Sequence, residues 1–294
     1  MDIPPLSASV ESSLLRLGKT VLNLEARSHV MGILNVTPDS FADGGRYLSP
    51  DAAVEHGLRL ADEGADIIDI GGESTRPRGG VYGDGASEVD VHQECARILP
   101  VIERLCRNTD VPISVDTWKA SVAEAALRAG AVMVNDISGF HFDADMPGVV
   151  ARAGAAAVLM HTPGKPWNMP GKTAYQDLLG DIAAYLAEGL RWGRQAGVAQ
   201  MVVDPGFGFG KSSEENLRLL QNLGKFLQLG VPVLVGVSRK SFIGTILDLP
   251  VEDRLEGSLA AAVVAVVNGA RIVRSHDVRA TRRALAVADA ILHA

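Results

Sequence analysis

Eight short apolar runs, VMGILNV, DIIDIGG, PISVDT, VMVNDIS, AAVLMH, MVVDPG, PVLVGVS and RIVRSHDV, alternate along the chain with eight amphipathic stretches of helical length. That rhythm constrains the fold more than any other feature. A strand, a helix and a second strand in succession are joined by a right-handed crossover, so the strands lie parallel. Parallel sheets are covered on both faces, which is why these runs are apolar throughout rather than alternating. Eight such units in 294 residues predict a closed (β/α)8 TIM barrel rather than an open doubly wound sheet. Ahead of them, LRLGKTVLNLEA predicts an N-terminal β-hairpin turning at Gly18-Lys19. Residues 1–16 are expected to form a leader, partly disordered, and residues 17–294 one domain, since no Pro/Ser-rich linker breaks the rhythm.

Polar residues collect where the predicted strands end. In order these are Asn35, Asp69 with Glu73, Asp116, Asn135, His161, Asp204, Ser238 leading to Arg239 and Lys240, and Arg274 with His276. Any one of them could simply cap a helix or close a turn. Together, at one end of a barrel, they predict a site on its carboxyl-terminal face. Asp116, Asn135 and Asp204 supply two carboxylates and an amide, with Lys240 a donor beside them, a set that suits a flat heterocycle bearing N–H donors and a carbonyl acceptor. Arg274 has a planar guanidinium that can stack on a ring and meet phosphate, and His276, two residues along the same strand, points the same way. In MVVDPGFGFGK, Gly206, Gly208 and Gly210 permit close backbone approach while Phe207 and Phe209 offer apolar faces. The first two loops, NVTPDSFADGGRY and GGESTRPRGGVYGDGAS, are long and Gly-rich, fit either to close over a substrate or to serve as surface loops.

Composition narrows the partners. A formal net charge of -7 argues against nucleic-acid and anionic-membrane partners, so an anionic ligand must be held by local basic groups. No apolar run reaches the length of a membrane helix, and the first residues lack the pattern of a secretory signal. Cys95 and Cys106, eleven apart, are expected as buried thiols on one helix face in a reducing, cytoplasmic setting.

The motifs MGILNVTPDSF, DIGGESTRP, SVDT, VNDISG, DPGFGFGK, GVSRKSFIG and RSHDV, in this order between residues 29 and 278, resemble the dihydropteroate synthase family. The resemblance implies an enzyme that joins 6-hydroxymethyl-7,8-dihydropterin diphosphate to 4-aminobenzoate in folate biosynthesis, works with Mg²⁺, is a sulfonamide target and forms a homodimer. By motif position, Asp116, Asn135, Asp204, Lys240 and Arg274 would bind the pterin. Asn35, Arg274 and His276 would hold the diphosphate, with Asn35 reaching the Mg²⁺. Thr75, Arg76, Pro77, Phe209, Lys240 and Ser241 would form the aminobenzoate pocket, and Asp43 would stabilise a pterin methylene cation, making Asp43, Lys240 and Arg274 the catalytic set. A silent pterin-binding paralogue would erode the first two loops, and a pterin-dependent methyltransferase would have no use for STRP and SRKS; both loops are intact here. The sequence departs from the family pattern at Arg78, at Thr162-Pro163 and at Ser275, where Val is usual. The apolar stretch 256–270 fits a barrel-facing stripe or a subunit interface.

Overall fold

A computed structural model describes residues 13–37, 49–74, 88–165 and 175–294. Strands β1 (Leu14–Leu17) and β2 (Thr20–Asn23) pair antiparallel as the expected hairpin. The hairpin starts at Leu14, ahead of the boundary at residue 16, because Leu15 and Leu17 already alternate inward. Eight parallel strands follow: β3 (His29–Asn35), β4 (Ile67–Gly71), β5 (Ile113–Asp116), β6 (Met133–Asp136), β7 (Ala156–Met160), β8 (Gln200–Asp204), β9 (Leu234–Val235) and β10 (Ile272–Ser275). Their order is β8-β7-β6-β5-β4-β3-β10-β9. The two ends of that order meet at a parallel bridge between Val203 and Val233, where the Val203 N–H donates to the Pro232 carbonyl at 2.9 Å, and the sheet becomes a TIM barrel.

The strand period of two sorts the side chains. Val30, Leu34, Ile68, Ile70, Val134 and Val203 face outward and pack under the helices. Met31, Ile67, Met133, Val158, Val202, Leu234 and Ile272 face the interior, where they meet Leu15, Leu17, Leu22 and Leu24 of the hairpin. The hairpin therefore plugs the amino-terminal end of the barrel. One step further along the strands the interior turns polar, with Asp69, Asp116, Asn135, Asp204 and Arg274.

Helices α1 (Pro50–Asp62), α2 (Val91–Asn108), α3 (Ala120–Arg128), α4 (Met146–Ala153), α5 (Leu178–Ala196), α6 (Ser213–Gln221), α7 (Ser241–Leu247), α8 (Leu255–Val267) and α9 (Val278–Leu292) form the outer layer. Their starts follow ordinary capping chemistry: Ser49 accepts from the Ala52 N–H, Asp90 from the Gln93 N–H, and Ser212 forms a capping box with Glu215. Three expectations are corrected. One of the eight stretches of expected helical length, residues 213–230, is not one helix, because Asn222 turns its amide back to the Arg218 carbonyl and the chain continues as a 3₁₀ segment, Leu223–Leu229. The loop after β9 contains the short helix α7, which the strand–helix count did not include. The cysteines are not both buried, since Cys95 is half-buried and Cys106 exposed on α2.

Candidate active site

A cavity opens at the carboxyl end of the barrel, walled by Ile33, Asp116, Asn135, Met160, Asp204, Phe209, Lys240, Arg274 and His276 among others. Arg274 on β10 reaches across its floor. Its Nε donates to Asp69 Oδ2 at 2.6 Å and its Nη2 to Asp116 Oδ2 at 2.7 Å. Asn135 Nδ2 donates to the same Asp69 oxygen at 2.9 Å. The second oxygen of Asp116 is buried without a protein partner, which leaves it open to a donor on a bound molecule or a water. Burial pushes the Asp116 carboxyl up to about 7 against the pull of Arg274. Asp204, beside the N–H of Gly206 at 2.8 Å, is likewise pushed up by burial to about 6.

The glycine-rich loop after β8 is built to lie close to its neighbours. Gly206, at φ 76°, sits so near the His161 carbonyl that a Cβ would collide with it. Gly208, at φ 78°, leaves room for the Lys240 stem, whose ammonium lies 4.5 Å over the Phe209 ring. Lys211 anchors the loop from beneath, donating to the carbonyls of Gly206 (2.8 Å) and Phe209 (3.0 Å) and facing His161 Nδ1 at 3.1 Å. Those three acceptors match the three N–H bonds of an ammonium and put the His161 proton on Nε2. Burial pulls Lys211 down to about 7, with Asp204 opposing.

The ends of β9 and β10 are tied by Ser238, whose Oγ accepts the His276 N–H at 3.2 Å and lies 3.1 Å from His276 Nδ1. On the opposite side of the mouth, Lys119 donates to Glu73 (2.8 Å), Glu94 (2.6 Å) and the Val89 carbonyl (2.7 Å), all buried. Glu73 also accepts from the Val89 N–H and from Trp118 Nε1, so residue 73 is fixed to residue 89.

Residues 31–276 match the family model described as pterin binding enzyme. A dihydropteroate synthase of Synechocystis sp. is 45% identical over 280 residues, covering 94% of each chain. The chain belongs to the dihydropteroate synthase family. Members of this family are transferases of folate biosynthesis. The dihydropteroate synthase of Xanthomonas albilineans, solved with 4-aminobenzoic acid, is 45% identical with a TM-score of 0.87, covering 96% of this chain and 99% of that one. The Yersinia pestis dihydropteroate synthase, solved with a sulfonamide drug complex, is 42% identical with a TM-score of 0.89, covering 96% of this chain and all of that one, 100%.

Of the residues that the family resemblance singles out, Asp116, Asn135, Asp204, Phe209, Lys240, Arg274 and His276 line the one cavity. Asn35 ends β3 beside them: a Cβ on Gly71 would lie 3.8 Å from Asn35 Oδ1 and 3.5 Å from Asp116 Cβ, so the two flank the same glycine. Ser241 stands just past the wall, as the first residue of α7. Asp43, Thr75, Arg76 and Pro77 lie outside the described residues. The departure at Ser275 is absorbed outside the barrel, where its hydroxyl lies 2.8 Å from that of Thr281 on α9. Asp69 was legible as a strand-end acid, but nothing in the sequence marked it as the partner of Arg274.

Proposed function

We propose that this chain condenses 6-hydroxymethyl-7,8-dihydropterin diphosphate with 4-aminobenzoate, giving 7,8-dihydropteroate and pyrophosphate. The observation that carries the reading is the convergence of Asp116, Asn135 and Asp204 with Lys240, Arg274 and His276 on one cavity. The carboxylates accept from the amino and ring N–H groups of a pterin, and Lys240 and Asn135 complement its acceptors. Arg274 stacks on the ring while its charge, with His276 and Asn35, faces the diphosphate. Phe209, Lys240 and Ser241, together with Thr75, Arg76 and Pro77, receive the aminobenzoate.

Mg²⁺ fits this arrangement in a limited role. Among the described residues no three His, Cys, Asp or Glu side chains gather to hold a metal. A metal carried in by a diphosphate would need few protein ligands, since Mg²⁺ usually keeps several waters and binds substrate phosphates. Half-buried Asn35 offers one amide oxygen for that purpose. When bound, the ion supplies positive charge against the departing diphosphate.

The chain's own groups do the rest. Arg274 and His276 stabilise the negative charge that grows on the diphosphate as the carbon–oxygen bond breaks. Asp43 stabilises the resulting pterin methylene cation, and exclusion of water preserves it for attack by the arylamine nitrogen, which then gives up its proton. No nucleophilic side chain is required.

The stretch expected as residues 17–294, extended to take in the hairpin from Leu14, acts as one domain in this reading. The chain works as a homodimer through the outer face of α8, where Val264 and Val267 are exposed beside α9, itself exposing Val287 and Ile291. Ser258, Ala261, Ala262 and Ala265 on the other face of α8 are buried against the barrel. No described helix is long and apolar enough to cross a membrane. The unpaired cysteines accord with a reducing cytoplasm.

The deciding experiment is pyrophosphate release from the pterin diphosphate and Mg²⁺, with and without 4-aminobenzoate. Release coupled one-to-one to dihydropteroate is expected. Binding of the pterin diphosphate without any product would sink the reading.

A further inference from the structure

The residue ahead of Lys240 holds an unusual backbone conformation. Arg239 has φ 56°, in the left-handed region that glycine adopts freely and a side-chain-bearing residue enters only when its surroundings compel it. Through that turn the chain leaves β9 and enters α7 within a few residues, and Lys240 is delivered over the Phe209 ring.

The backbone N–H and carbonyl of Arg239 and two of its guanidinium nitrogens are held from the neighbouring units. Its N–H donates to Ser258 Oγ of α8 at 2.9 Å. Its carbonyl accepts from Arg254 Nη1 at 3.2 Å, and the same nitrogen lies 3.4 Å from the Lys240 carbonyl. Its guanidinium forms a two-point pair with Asp277, Nε to Oδ2 at 3.0 Å and Nη2 to Oδ1 at 2.6 Å. Arg254 is 4% exposed, and its Nε donates to the Leu249 carbonyl at 3.1 Å, so it clasps the chain both before and after α7. Gly244 makes this possible, since a Cβ there would collide with the guanidinium.

We infer that Arg254, Ser258 and Asp277 are positioning residues that hold Arg239 in its left-handed turn and thereby set the place of Lys240 in the cavity. They touch no substrate. Their effect on the reaction runs through Lys240, and the inference rests on the reading above that Lys240 contacts the pterin.

A double-mutant cycle tests it on the full chain. The probe is the dissociation constant of 6-hydroxymethyl-7,8-dihydropterin diphosphate with Mg²⁺ and no aminobenzoate, measured by calorimetry. Asp277→Asn removes the charge of the two-point pair with little change in shape, and about tenfold weaker binding is expected, in the range of directly coupled neighbours. The same change made on top of Lys240→Ala is expected to cost nothing further. Arg239→Gly, at ease at this φ, is expected to bind the probe more tightly than Arg239→Ala. Unchanged binding in Asp277→Asn overturns the inference. So does a loss that adds in full to that of Lys240→Ala, the pattern of an effect running through neighbouring His276. Should Asp277→Asn fail to fold, Arg254→Lys takes its place in the cycle with the same two outcomes expected. If Lys240→Ala alone leaves binding untouched, the assignment of Lys240 to the pterin falls first, and the inference falls with it.

Discussion

Arg274 Nε lies 2.6 Å from Asp69 Oδ2, joining β10 to β4 across the intervening β3, between residues 205 apart in the chain. The contact holds the guanidinium at the level of Asp116 and Asn135. It also gives a fully buried carboxylate its main partner.

Replacing Asp69 by Ala therefore removes one of the two acids that hold Arg274 and the acceptor of the Asn135 amide. Breaking a buried pair from one side costs about 3–5 kcal/mol. Urea unfolding is expected to show a loss of that size, and pterin diphosphate binding is expected to weaken with it. A variant as stable as the parent would mean that the ion pair contributes little.

Binding should depend on pH through the two pterin-facing acids. Asp116 and Asp204 are held at about 7 and about 6, above the 3.8 of an unfolded chain. Each is the stronger acceptor once ionised, so affinity for a pterin is expected to rise between pH 5.5 and 7.5, roughly across those two values. Stability runs the opposite way. The folded protein binds more protons than the unfolded chain in this window, so these groups' contribution is complete below the unfolded value and is lost as pH rises through 6 and 7. Calorimetric titrations and melts over the same buffers check both signs, and Asp204→Asn should flatten part of each profile.

The hairpin separates stability from chemistry. Leu17→Ala removes a side chain that is 1% exposed in the plug, on the far side of the interior from the cavity. A loss of about 2–4 kcal/mol is expected from the transfer and cavity costs. The KM values should stay within twofold or so of the parent's while the protein remains folded. A changed KM would show that the plug communicates with the mouth.

Gly206→Ala should act in the reverse manner. A methyl group there is strained by the φ of 76° and meets the His161 carbonyl, so the loop must shift. The loop carries Phe209 and neighbours Lys240, and the expected result is a fall in kcat/KM of about 10²-fold, the scale of a 1 Å misplacement. Steady-state kinetics with both substrates would reveal it.

The barrel was legible because its signal is local and repeated. Each apolar run carries its own ending, and eight of them in alternation leave little choice of topology. The cavity acids were legible for the same reason, as polar residues where an apolar run stops. What stayed hidden depends on register or on short range. The partnership of Asp69 with Arg274 is fixed by how β4, β3 and β10 align, which no sequence spacing encodes. Helix α7 has seven residues, too few for a periodic pattern, and follows directly on a motif. Cys106 shares nearly the same side of α2 as Cys95, since eleven residues make about three turns, but it stands in the helix's last turn and is exposed there. Lys211 looked like the end of a glycine-rich motif, and its three acceptors exist only once the loop has folded over it.

Among the described residues, the leucines of the hairpin complete an apolar layer beneath Asp116 and Asp204. Water, protons and ligands therefore meet the two acids at the cavity that opens on the carboxyl end. Whatever covers that mouth thus sets the polarisability around both acids at once, strengthening every ion pair on the floor as solvent leaves. The first molecule to settle there acts as a stopper as well as a ligand, and prepares the field that the second one meets.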